Sequence, residues 1–184
     1  MEHPGEVWQE FDYTGEWLGG LEPDKFDPSK VRLYGGVAVM LYRVRNGEME
    51  LLFQHRSKGL RDNPDKWDVS AGGHINLNEP RMAAILRETN EEIGVKLLKE
   101  KLEFAGTYVR WRLMITLYFY DWNGNDDEFS FDDAEVEEVK WVKYSELNDF
   151  LPNLKNHVND DKMFFLCLEE LNRRVLEKYG NNQS

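Results

Sequence analysis

At 184 residues the chain has room for one decorated domain and is too short for two full domains with a linker. Its residues are 41% hydrophobic, with 6 Trp, 8 Tyr and 10 Phe, which supplies a core and excludes a disordered chain. The formal net charge of −12 argues against nucleic acid or an anionic membrane surface as partner.

An anionic small substrate would then need a metal or a local basic patch to overcome that field. The lone cysteine, Cys167, rules out an internal disulfide and a Cys-rich zinc site. The start of the chain lacks a basic-then-apolar signal pattern, and no apolar run reaches the roughly 20 residues that span a bilayer. The expected location is the cytoplasm. A homodimer is compatible with the sequence, which does not fix the oligomeric state.

Residues 6–21 alternate aromatic and polar side chains around Gly15, which predicts a β-hairpin. A connector with Pro23 and Pro28 follows. Val31 to Val44 and Met49 to His55 read as two strands joined by an Asn46-Gly47 turn. Residues 56–66 form a basic loop, and Trp67 to Ala71 a short extended piece. Asn78 or Glu79 starts a helix with Pro80 in its first turn, and Gly94 ends it. Strands at 102–110 and 112–122, an acidic loop, a strand from Val136 to Val142 and a short helix from Ser145 to Phe150 come next. An amphipathic helix from Asp160 to Tyr179 carries Phe164, Leu168, Leu171 and Val175 on one face, with Cys167 expected buried. The order predicts an α/β or α+β fold in one domain. Residues 1–30 form a hairpin and connector, 31–150 the core, and 151–184 a terminal helix.

Glu88, Glu91 and Glu92 lie at i, i+3 and i+4, on an arc of about 100° of one helix face. Met82, Leu86, Thr89 and Ile93 point toward the other flank, which packs on a sheet. Like charges at this spacing destabilise a helix by a few tenths of a kcal/mol, and a cation relieves that. Oxygen ligands alone suit Mg²⁺ or Mn²⁺ better than zinc. The bland alternative is a solvated acidic face.

The surroundings favour chemistry. Gly73, Glu79, Arg87, Glu88, Thr89, Glu91, Glu92, Gly94 and Val95 follow the pattern G-x5-E-x7-R-E-U-x-E-E-x-G-U, where U is bulky and aliphatic. On these residues the chain resembles the Nudix hydrolase superfamily, with Thr89 as the one departure. The resemblance implies an α/β/α sandwich with a mixed central sheet, here extended by the N-terminal hairpin. It also implies Mg²⁺- or Mn²⁺-dependent hydrolysis of a phosphoanhydride bond in a small diphosphate-containing substrate. Within it, the Gly72 carbonyl approaches the metal, Glu91 and Glu92 are the main ligands, and Glu88 is the metal-linked base or orients water. Arg87 holds the glutamates, and Glu79 positions Arg87 or a second metal.

Gln54-His55-Arg56-Ser57, Pro64, Trp67-Asp68-Val69-Ser70 and Gly72-Gly73-His74 look like a branch related to isopentenyl diphosphate isomerase. The isomerases use a Cys where this chain has Val69, Ser70 and Ala71, so hydrolysis is the expectation. Isomerisation and non-catalytic ligand binding stay open as alternatives. Substrate phosphates would meet Arg56, Lys58, Arg61 and Lys66 in the basic loop. Arg110 and Arg112 would share a strand face by the period of two. Tyr108 or Trp111 could stack on a base, although core packing is their ordinary role. Glu135 and Glu138 are candidates for an extra carboxylate at the site.

Overall fold

The computed structural model describes residues 7–22, 32–110, 112–131, 134–154 and 162–180. The connector with Pro23 and Pro28, the residue Trp111 and the expected start of the last helix at Asp160 lie outside these residues.

The hairpin forms as its alternation predicts, from β1 (Trp8–Phe11) and β2 (Trp17–Leu21). Its turn is tied by Asp12, whose Oδ1 accepts from the backbone N–H groups of Thr14 (2.8 Å) and Glu16 (2.9 Å). Gly15 adopts φ 88° there, a region that favours glycine.

The long strand β3 (Leu33–Arg45) is the spine of a nine-stranded mixed sheet. Along one edge it meets β1, then β6 (Ala71–His74), then β4 (Glu48–Arg56), all antiparallel. Its other edge pairs in parallel with β8 (Leu113–Asp121), which also pairs with β7 (Glu103–Arg110). β4 pairs in addition with β5 (Trp67–Asp68) and β9 (Val136–Lys143).

Where the sequence suggests one extended piece over Trp67 to Ala71, the chain makes two strands, because it crosses there from β4 to β3. The buried Ser70 hydroxyl spans the gap, donating to Leu52 O (2.6 Å) and accepting from Leu41 N–H (2.8 Å). This meets backbone groups of both strands at the point where they part.

Strand alternation sends residues of β3 to opposite faces. Val37, Val39 and Leu41 pack with Leu52 and Tyr118 under helix α1 (Arg81–Ile93). Ala38, Met40 and Tyr42 pack with Phe53 and Leu117 under α2 (Leu147–Phe150) and α3 (Lys162–Gly180). The result is an α/β/α sandwich. Phe164, Leu168, Leu171 and Val175 form the buried stripe of α3, and Cys167 is half-buried beside them. Among the described residues no helix is long and apolar enough to cross a membrane.

Two expectations need correction. α1 begins at Arg81, later than Asn78 or Glu79, because residues 76–79 close a turn of their own. Asn76 N–H donates to Glu79 Oε2 (3.0 Å) and Glu79 N–H to Asn76 O (2.9 Å). Arg110 and Arg112 do not share a strand face, since β7 ends at Arg110 and β8 begins at Leu113.

Candidate active site

The site is assembled where β6 runs into the turn before α1. Gly72 and Gly73 sit on β6 facing Ala38 and Val37 of β3. A Cβ on Gly73 would overlap the Glu88 carboxylate, and one on Gly72 would lie 2.7 Å from Val37 O. Two residues without side chains therefore let α1 come close enough to press its carboxylates onto the strand.

The N-terminal hairpin holds the same turn from outside. Gln9 N–H donates to Ile75 O (2.9 Å) and Leu77 N–H to Val7 O (2.7 Å). The Gln9 side-chain amide donates to Glu79 O (2.9 Å) and Asn76 O (3.3 Å). Trp8 lies flat on His74, with ring centroids 3.6 Å apart and planes 5° from parallel.

Arg87 organises the acidic face. Its guanidinium forks onto Glu79, with Nε to Oε1 and Nη2 to Oε2 both 2.9 Å. Nη1 donates to Glu88 Oε1 (2.8 Å) and Glu91 Oε2 (3.0 Å), and Nη2 also to His74 O (3.0 Å). Such charge-assisted, bidentate bonds fix orientation as well as charge. Burial pushes the Glu79 carboxyl up, but the Arg87 and Asn76 hydrogen bonds outweigh it and leave it below its usual range. The bonds that Arg87 donates to Glu79, foremost, and then the Glu88 charge and the bond to Glu91 hold Arg87 firmly protonated.

The three motif glutamates do not share one solvated face. The Glu91 side chain is 48% exposed and that of Glu88 14%, while Glu92 is buried at 4%. Glu92 falls on the stripe that meets the sheet, together with Ala84, Ile85, Thr89 and Ile93. Met82 and Leu86 are only partly buried at its border. The Glu92 Oε2 atom accepts from Gly72 N–H (2.8 Å) and from the Gln54 amide (3.3 Å). Burial pushes its carboxyl well above the usual range; the Gly72 bond opposes this, and the Glu88 and Asp68 charges add to it.

Among the described residues no three His, Cys, Asp or Glu side chains stand close enough to enclose an ion. Arg87 draws Glu88 and Glu91 to itself, and Glu92 turns to Gly72. A hard divalent cation nonetheless fits the donors, which are all oxygen, and fits a buried carboxylate that two other carboxylates press upon. Glu88, Glu91 and Glu92 are the side chains that could hold it, beside the backbone of Gly72.

The other sequence-derived candidates fall in several places. Arg56 ends β4, with Nη2 donating to Asp62 O (3.1 Å) and its buried Nε without a partner among the described residues. Lys58 Nζ lies 3.9 Å from Asp65, and Lys66 accepts the Arg56 N–H on its carbonyl (2.8 Å). Arg61 is exposed on the same loop. Arg112 is apart from this loop, its carbonyl accepting from Tyr34 N–H (2.7 Å). Glu135 O accepts from Ser57 N–H (2.8 Å), which ties the loop to the start of β9. Glu138 lies 3.6 Å from His55 Nδ1. His55 stacks on Trp67 toward α2, so Glu138 sits across the sheet from Glu92 and outside the glutamate cluster.

Sequence reasoning overlooked Gln54, Asp68 and Gln9 as members of the site. A polar residue closing the apolar run Leu51-Leu52-Phe53 was the available signal for Gln54. Gln9 carries none, since it acts across 67 and 70 residues of sequence.

Comparison with known proteins bears on the family and the fold. Nudix hydrolase 3 of Arabidopsis thaliana is 31% identical over 55% of this chain, a stretch that is 15% of the relative. The m7GpppN-mRNA hydrolase NUDT17 of Danio rerio is 39% identical over 36% of the chain and 21% of its own length. The chain thus spans a small part of these relatives. Among solved structures, DR0079 of Deinococcus radiodurans superposes with a TM-score of 0.67 at 18% identity, covering 89% of this chain and 98% of that one. The NUDIX domain of Shewanella oneidensis NrtR, complexed with ADP ribose, gives 0.60 at 20% identity, covering 80% and 95%. At such identities these two speak for the fold. The family model described as NUDIX domain matches residues 35–166, most of the chain, and the chain belongs to the Nudix family.

Proposed function

We propose that the protein is a divalent-metal-dependent hydrolase that cleaves a phosphoanhydride bond in a small diphosphate compound, of nucleoside-diphosphate type or another diphosphate metabolite. The observation that carries this reading is the buried Glu92 carboxylate beside Glu88 and the Gly72 backbone, with Arg87 bracing Glu79, Glu88 and Glu91. The relatives lend support: one is named for hydrolysis of m7GpppN-mRNA, and one solved neighbour holds ADP ribose.

A bound Mg²⁺ or Mn²⁺ would set positive charge against the diphosphate oxygens and lower the pKa of water. The protein's own groups do the rest. Arg87 keeps Glu88 and Glu91 in place, and Glu88 takes the proton of the water that attacks phosphorus in line, a step worth about 10² to 10⁴ in rate. Arg56, Lys58, Arg61 and Lys66 offer cations on the loop after β4, and Arg112 another beside Tyr34. The isomerase alternative loses ground, because the Ser70 hydroxyl is committed to Leu52 O.

The test is a panel of nucleoside diphosphate compounds and isopentenyl diphosphate, each with Mg²⁺ or Mn²⁺ and with EDTA. Phosphate-containing products that form with metal and vanish with EDTA are expected. Full turnover in EDTA, or deuterium entering dimethylallyl diphosphate in heavy water, contradicts the reading.

A further inference from the structure

Buried polar atoms in native proteins nearly always have a hydrogen-bond partner, so each exception asks what it serves. Among the described residues the exceptions include Gln54 Oε1, and Gln54 is 1% exposed. The amide cannot turn to satisfy it. Its Nε2 donates to Glu92 Oε2 (3.3 Å), and turning would set carbonyl against carboxylate. The carbonyl end therefore stands beside the Glu92 contact, with no partner among the described residues. In register, Gln54 stands opposite Asp68 on β5, whose charge is felt at Glu92 together with that of Glu88. The chamber around Glu92 is thus rich in acceptors. Among the described residues only the Gly72 N–H and the Gln54 N–H donate to Glu92.

We propose that Gln54 belongs to the divalent-cation centre: its N–H holds Glu92, and its carbonyl oxygen accepts from the water shell of the cation that Glu88 and Glu92 hold. The inference rests on the functional reading above. Mg²⁺ and Mn²⁺ suit this role, since Mg²⁺ keeps several waters when protein-bound and those waters need acceptors. Gln54 is a positioning residue in this account, acting on Glu92 and on the water shell.

The experiment is Mn²⁺ binding to the full chain, read from the electron paramagnetic resonance of free Mn²⁺, with melting curves of the metal-free proteins alongside. Gln54→Leu is expected to weaken Mn²⁺ binding by about tenfold or more, in the range of outer-shell partners of metal ligands. Its metal-free melting temperature should stay close to that of the parent, because losing an unpartnered buried acceptor offsets losing the N–H that Glu92 accepts. Gln54→Met keeps the reach of the side chain but offers neither N–H nor carbonyl, so it should weaken Mn²⁺ binding to a similar degree.

The proposal is overturned if Gln54→Leu or Gln54→Met binds Mn²⁺ like the parent. Should the leucine variant fail to fold, the methionine variant decides by the same criterion. A parent protein that binds no Mn²⁺ overturns the functional reading along with this one. A parent that binds while Gln54→Leu is unaffected overturns this inference alone.

Discussion

The two faces of the sheet are built by the same alternation of strand residues but use burial differently. Under α2 and α3 the core is a continuous apolar layer of Met40, Phe53, Leu117, Phe164, Leu168 and Leu171. Under α1 the apolar layer of Val39, Leu52 and Ile85 ends at Glu92, Gln54 and Asp68, which are as buried as the side chains around them. One face converts lost solvent into stability. The other withholds solvent from a carboxylate that accepts from the Gly72 and Gln54 N–H groups and stands among like charges. A packed sheet tolerates such a cluster on one side because the other side supplies cohesion.

Substitutions on each face should sharpen that contrast. The largest effect is expected from Phe164→Ala, which removes a ring that is 1% exposed and should cost about 3–5 kcal/mol in urea unfolding. Turnover per folded molecule should stay at the parent value; a loss there would break the separation between the faces. Glu92→Gln is the converse, with turnover falling by about 10²-fold or more while the protein stays folded. Circular dichroism together with steady-state kinetics checks it.

The neighbouring glycines divide the same way. Gly73→Ala sets a methyl against the Glu88 carboxylate, the movable end of a side chain, so turnover should drop by about tenfold to 10²-fold with little change in melting. Gly72→Ala meets the Val37 backbone oxygen, so it should lose about 1–3 kcal/mol of stability. Smallest is Gln9→Ala, which frees Asn76 O and Glu79 O and should cost about 1 kcal/mol. A modest loss of turnover should accompany it, since Glu79 anchors Arg87.

The helix, its Gly94 stop and the hairpin were legible because each depends on neighbours in sequence. Gly94 takes φ 74°, and Asn46-Gly47 takes φ 53° and 79°, as their residue types suggest. Glu92 misled for a physical reason. Three glutamates at i, i+3 and i+4 look like a solvated stripe, and only the close approach of Gly72 and Gly73 turns one of them inward. The parallel pairing of β3 with β8 and the hold of Gln9 on Glu79 join segments dozens of residues apart, so no local pattern announces them. The period of two fails at Arg112 because a turn interrupts the strand there.

The central claim is that burial on the α1 face prepares a carboxylate site for a cation. Its most direct measurement is the melting temperature of the parent and of Glu92→Gln, each with EDTA and with increasing Mg²⁺ or Mn²⁺. A ligand that binds only the native state raises stability by mass action. The parent should therefore melt higher as metal is added. Glu92→Gln, relieved of a buried charge, should melt at or above the parent in EDTA and gain little from metal. A variant that melts well below the parent in EDTA, or that responds to metal as the parent does, would contradict the account.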